Sequence, residues 1–253
     1  MASSAVFKLE SLLEARKLDR TLTREPASQP PVQPTGIARL DAVLEGGWRQ
    51  GEVSEVVGPR SSGRMSLLGA TMAAATAGGG IVGLVDTVDR FDPAGAARVG
   101  VDLDRVLWVR GPQIGVEQAR ATLVDRAVHQ ALRAVDLLVR AGGFTVVAFD
   151  VADIPPRYLR GLPHTTWMRL AHANAGQPTV CLLIGEAAMG RSARGATVEL
   201  DAAGRWTGSS PQSQRLAGLE IHARVRDARH AIDVEPFGLD VGPFGLDVGP
   251  FGL

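Results

Sequence analysis

The chain of 253 residues contains one cysteine, one tyrosine and only two lysines. A single cysteine excludes an internal disulfide and any Cys-rich metal cluster. Cys181 lies in the apolar run Thr179-Val180-Cys181-Leu182-Leu183-Ile184 and reads as a small buried hydrophobe. No apolar run reaches the ~20 residues that span a bilayer, and no signal-peptide pattern precedes the core. The expectation is a soluble cytoplasmic protein with no membrane partner. Net charge is zero, so the basic field of a dedicated nucleic-acid binder is missing. Both lysines, Lys8 and Lys17, fall near the N-terminus, and every other permanently charged cation is arginine. A core without lysine excludes the commonest cation of nucleotide sites.

The chain has four kinds of segment. Val6, Leu9, Leu12, Leu13 and Leu18 recur at helical spacing between charged residues, which predicts an amphipathic helix over 1–22. Prolines 26, 30, 31 and 34 make 23–34 an extended linker. A tethered helix buries its apolar face on its own core, on a second copy or on another protein. Val6, Leu9, Leu12 and Leu13 are therefore candidate partner-binding residues. Residues 35–232 alternate apolar strand patterns (53–57, 81–86, 106–109, 144–150, 179–184) with helical ones (35–44, 93–99, 116–141, 167–173). Segments 197–200 and 219–226 alternate as antiparallel strands do, while 153–164 reads as a loop. The fold class is α/β, a P-loop-type core with a mostly parallel central sheet and antiparallel edge strands. Residues 233–253 are three Asp-Val-(Glu or Gly)-Pro-Phe-Gly-Leu units. A Pro and a Gly in every unit forbid a continuous helix. The expectation is a mobile low-complexity tail, or a multivalent one offering three Phe/Leu anchors.

One stretch carries the chemistry. Gly58-Pro59-Arg60-Ser61-Ser62-Gly63-Arg64-Met65-Ser66 joins the apolar strand Val53–Val57 to a helix beginning near Leu67. That is the setting of a phosphate-binding loop, where backbone N–H groups and the helix dipole cradle an anion. Gly58, Ser61, Ser62, Gly63, Arg64, Met65 and Ser66 are the candidate cofactor-binding residues. Asp150, closing the strand Val146-Val147-Ala148-Phe149, stands where such a site keeps its metal-binding acid. The loop consensus asks for Lys and then Ser/Thr; here Arg64 and Met65 follow Gly63.

These stretches, with Thr35-Gly36, Leu40-Asp41, Gly46-Gly47, Gly51-Glu52-Val53, Asp86–Pro93 and Val99–Asp104, resemble the core of the RecA recombinases over about residues 34–230. The altered loop, short length and N-terminal helix resemble more closely the ImuA family, RecA-like accessory proteins of bacterial mutasome cassettes. The resemblance implies a RecA-like fold and a role in damage-induced (SOS) translesion DNA synthesis. It implies an ImuB-type polymerase-like partner, with RecA, the ImuC polymerase and single-stranded DNA as further candidates. It also maps two DNA-binding loops onto the segments after Asp150 and Ile184, which hold Arg157 and Arg160, with Tyr158 and His164, and then Arg191 and Arg194.

The same resemblance exposes four departures. The family's loop lysine falls on Arg64, whose planar fork does not seat like a compact ammonium. Its magnesium-binding threonine falls on Met65, and Ser66 lies about 100° further round the helix. Its water-activating glutamate falls on Val88, with Asp89 on the opposite face if the strand continues. Its γ-phosphate-sensing glutamine falls on Glu186, an acid that repels a triphosphate. The expectation is a non-catalytic adaptor with no catalytic residue, no metal and no required cofactor. The intact backbone cradle leaves ATP binding without hydrolysis open. A weak DNA-dependent ATPase or nucleotide sensor, and a single-strand-binding module, are the alternatives.

Overall fold

Five apolar runs form one side of a sheet whose helices cover both faces, the run 106–109 lying at its edge. The computed structural model describes residues 31–116, 119–210, 212–227, 230–242 and 245–247. Its elements are β1 (Val32–Gln33), α1 (Ala38–Val43), β2 (Trp48–Arg49), β3 (Val53–Val57), α2 (Arg64–Ala77), β4 (Val82–Asp86), α3 (Pro93–Arg98), β5 (Val106–Arg110) and α4 (Ala121–Ala141). There follow β6 (Val146–Asp150), α5 (Pro156–Arg160), α6 (His164–Asn174), β7 (Val180–Gly185), β8 (Thr197–Thr207), β9 (Arg215–Arg226), β10 (Ala231–Gly242) and β11 (Gly245–Asp247). The main sheet runs β11-β10-β9-β8-β3-β7-β6-β4-β5. The pairs from β8 to β5 are parallel, and β8-β9, β9-β10 and β10-β11 are antiparallel. The α/β architecture read from the residues is the one observed. The helix expected over 1–22, with Val6, Leu9, Leu12 and Leu13, lies outside the described residues.

Period-two alternation explains the layers. In β6, Val146 and Ala148 join a core under α1, α2 and α3, while Val147 and Phe149 join one under α4, α5 and α6. Cys181 belongs to the second core and is fully buried, its thiol pushed up to about 12 by burial. In the sheet order β7 separates β3 from β6. The loop after β3 and the acid ending β6 therefore open on the same edge, two strand spacings apart.

Four boundaries differ from the sequence reading. The expected linker 23–34 already holds β1, antiparallel to β2. Gly47, at φ 131, makes this possible, because a side chain there would strike the carbonyl of Gln33. The long helix starts at Ala121 rather than 116, since Arg120 is extended. The 153–164 segment contains α5, started by Pro156 in the first turn, where a missing N–H costs nothing. The tail read as mobile is a strand through Gly242, with Val234 and Phe237 buried. Pro236 falls where the β9–β10 register shifts between Val234 and Phe237. A bulge is a place where a strand tolerates a residue without an N–H donor.

A degenerate phosphate loop as the candidate functional site

The loop keeps its backbone shape. Gly58 donates its N–H to the Gly185 carbonyl (3.3 Å), and Ser62 donates to Pro59 (3.2 Å). Ser61 is left-handed at φ 62, and Gly63, the residue capping α2, at φ 92. Space fixes both glycines. A Cβ at Gly58 would lie 2.2 Å from the Leu200 carbonyl oxygen, and one at Gly63 would lie 2.4 Å from Ile221 Cδ1. The loop is thus wedged against β8 and β9.

Its side chains have changed character. Arg64 is 6% exposed, and its Nη1 has no hydrogen-bond partner. Burial pulls its pKa down, opposed by the charges of Asp150, Glu186 and Asp153. Ser62, also buried, has an unpartnered Oγ. Met65 is 40% exposed and lines an apolar pocket of about 260 Å³ between α2 and α3, with Phe91 and Val99. Two unsatisfied buried polar groups beside a helix N-terminus suit an anion. Magnesium does not fit. Met65 supplies no oxygen, and a carboxylate oxygen of Asp150, the remaining family acid, is already taken by the Ala152 N–H. In the protein by itself that carboxyl is pushed up to about 7. Burial is the main cause, with the nearby negative charges of Asp86 and Asp153 adding to it. Among the described residues, no cluster of three His, Cys, Asp or Glu side chains could hold a metal.

The acids at this edge are engaged by the chain itself. Asp150 accepts the N–H of Ala152 at 2.8 Å, and its own carbonyl accepts the Thr87 hydroxyl at 2.6 Å. Asp86, its cross-strand neighbour, accepts the N–H groups of Arg90 (3.0 Å) and Phe91 (2.8 Å) and the Trp108 indole (3.3 Å). Val88 is buried. Asp89 does not continue a strand, because β4 ends at Asp86 and Asp89 turns left-handed at φ 59. Its carboxylate meets Arg110 at 2.8 and 2.9 Å, and that pairing holds its pKa below the usual carboxylate range. Arg110 in turn stacks 4.4 Å from the Trp108 ring. Asp89 is occupied as a structural anchor.

The four candidate DNA arginines part company. Arg191 donates to the carbonyls of Ser192 (3.3 Å) and Gly195 (3.2 Å), and Arg194 lies 4.0 Å from Glu52. Arg157 is exposed and stacks on Tyr158 at 4.9 Å. Arg160 is exposed, with no ion pair among the described residues.

Two groups escaped the sequence reading. Glu55, in the middle of β3, is 1% exposed. Its Oε1 accepts the N–H groups of Met189 and Gly190, both at 2.6 Å, and Oε2 accepts the Thr197 hydroxyl at 2.8 Å. This carboxylate pins the segment after β7; an acid inside an apolar strand was its available signal. Asp153 joins Arg60 (3.0 Å) to Arg90 (3.5 Å), tying together the loops after β3, β4 and β6. Nothing in the spacing of those three residues announces it.

Known proteins agree with this architecture. Residues 20–159 match the RecA N-terminal domain. The chain is similar to Protein RecA of Frankia alni, 37% identical over 134 residues, 51% of this chain and 35% of the relative. It is similar to Protein RecA of Mycobacterium ulcerans, 37% over 136 residues, 53% of this chain and 34% of the relative. With Protein RecA of Methylococcus capsulatus it shares 38% over 128 residues, 50% and 33% of the two chains. Each match thus spans about a third of the relative's length. A phosphate loop capped by Gly63, an acid at the end of β6 and this family match together place the chain in the RecA family, through its RecA N-terminal domain.

Proposed function

We propose that this chain is a RecA-fold adaptor that works without ATP turnover in damage-induced translesion DNA synthesis. The observation that carries the reading is Arg64. A buried guanidinium with an unpartnered Nη1 stands in the place of the loop cation, and the next residue, Met65, has no metal-binding oxygen. Phosphoryl transfer rests on positioning and charge neutralisation, so losing the metal ligand, the lysine and the water-activating acid together removes its means. The partners follow from the resemblance: an ImuB-type polymerase-like protein, then RecA and the ImuC polymerase. Activity is expected to lie in binding them, through the N-terminal helix carrying Val6, Leu9, Leu12 and Leu13.

Two measurements test this. ATP hydrolysis with single-stranded DNA is expected at background, and turnover that disappears in Asp150→Ala overturns the reading. Co-purification with the polymerase-like partner is expected to be lost on deleting residues 1–22; unchanged capture counts against it.

Two observations favour secondary readings. The cradle with Ser62 Oγ and Arg64 Nη1 suits nucleotide binding without hydrolysis. The exposed pair Arg157 and Arg160 suits single-stranded DNA. If DNA binds there, Arg157→Ala with Arg160→Ala should lower the salt slope of affinity by about 1–2, at roughly one unit per phosphate contact. Arg191→Ala with Arg194→Ala should leave it nearly unchanged. An equal effect of both pairs would remove this assignment.

A further inference from the structure

The first of the three C-terminal units shows how such a unit docks. It adds to the edge of β9, with Val234 opposite Ala223, Phe237 opposite Ile221 and Asp233 opposite Arg224. Val234 and Phe237 are buried in the core under α1 and α2. Asp233 and Arg224 form a two-pronged ion pair, Arg224 Nη2 donating at 3.0 Å. From α1, Arg39 donates to the Pro236 carbonyl and lies 3.6 Å from Glu235. Pro236 occupies the bulge, where no N–H is required.

All of those anchors except Glu235 recur seven and fourteen residues later. Units 240–246 and 247–253 repeat Asp, Val, Pro, Phe, Gly and Leu in the same order, and the only difference is Gly242 and Gly249 in place of Glu235. We propose that the seat beside β9 is a binding site for the peptide Asp-Val-X-Pro-Phe-Gly-Leu, and that the three units compete for it within one chain. A seven-residue slide puts Asp240 opposite Arg224, Val241 in the place of Val234 and Phe244 in the place of Phe237. Pro243 falls on the bulge. The slide forfeits the Arg39–Glu235 pair, which is exposed on both sides, and such pairs contribute little. It also forfeits the ladder positions of Ala231 and Ile232. The β9–β10 connection lengthens by seven residues, and closure entropy grows only logarithmically with length. Ordinary strands resist slippage because a shifted register presents the wrong side chains. Here a shift by one unit presents the same ones. A tethered unit enjoys an effective concentration in the millimolar range, so the chain's own copies outcompete those of other molecules.

Thermal unfolding of the full chain tests this with three variants. Phe237→Ala alone is expected to unfold within a few degrees of the parent, because Phe244 takes the seat. Phe244→Ala with Phe251→Ala is expected to match the parent. Replacing all three phenylalanines is expected to lower Tm by on the order of 10 °C, the scale of a lost buried aromatic in a chain this size. If Phe237→Ala falls as far as the triple variant, or fails to fold while the spare units are intact, the proposal is overturned. A Tm of Phe237→Ala that rises with protein concentration overturns it too, since exchange between molecules is then filling the seat. Cross-linking reads the register directly. Arg224→Cys with Asp240→Cys is expected to form a disulfide several-fold faster in the Phe237→Ala background than in the parent, and its absence from that background overturns the slide.

Discussion

Asp150 makes one part of the molecule's stability depend on pH. Its folded pKa, about 7, lies above the usual carboxylate value because the group is buried beside Asp86 and Asp153. Between about pH 4 and 7 the folded state therefore holds a proton that the unfolded chain has released. Stability contributed at this site is full below about pH 4, falls as pH rises and is lost above about pH 7. The whole swing is on the order of 4 kcal/mol. Asp150→Asn, which keeps the shape and removes the charge, is expected to flatten that part of the stability–pH curve. Urea unfolding at pH 5 and pH 8 checks it; parallel losses in both chains would refute the assignment. Glu55 carries a second residue-level prediction. Glu55→Leu removes both acceptor oxygens and leaves the buried N–H groups of Met189 and Gly190 without their partner, at a cost of about 2–3 kcal/mol. Amide exchange at Met189 and Gly190 is expected to rise while that of α4 stays unchanged.

Among elements, the contact between the phosphate loop and the antiparallel ribbon governs how the loop is held. Gly63→Ala sets a Cβ against Ile221 Cδ1 at a left-handed φ, so destabilisation by about 2–3 kcal/mol is expected. Ile221→Val deletes that methyl. The double variant is expected to be more stable than the sum of the single effects, and strict additivity in a double-mutant cycle would contradict the contact. Elements were also where the sequence spoke most clearly. Strands such as Val146–Asp150, apolar on both faces, could only lie inside a parallel sheet. The loop was legible because glycines, strand and helix start stand at a fixed local spacing. Less was legible where partners are distant in sequence. Asp89 read as a displaced acid because Arg110, which occupies it, lies on the next strand. Arg191 read as a DNA-loop arginine because the carbonyls that occupy it are set by how the loop folds back. Proline and glycine made the tail read as mobile, since the register that seats Phe237 beside Ile221 is a tertiary fact.

For the whole molecule, the sheet ends differently on its two sides, in the parallel strand β5 on one and the antiparallel strands β9–β11 on the other. No helix among the described residues is long and apolar enough to cross a membrane. Among the described residues, β8 beyond Glu199 pairs with β9 alone, so the ribbon it forms with residues 215–223 projects past the end of β3. Its tip carries Trp206, 61% exposed, packed near Gly204 and Leu216. Mechanically this ribbon is a lever, braced along one side by β10 up to Gly218 and free beyond it. Its fixed end bears on the loop, Leu200 at Gly58 and Ile221 at Gly63. Its free end lies six residues, about 20 Å, further along the strand. A small tilt at the root is magnified at the tip, so an event at the loop that moves β8 or β9 is expected to register as a change in Trp206 emission. The indole then reports from well outside contact distance of whatever the loop holds.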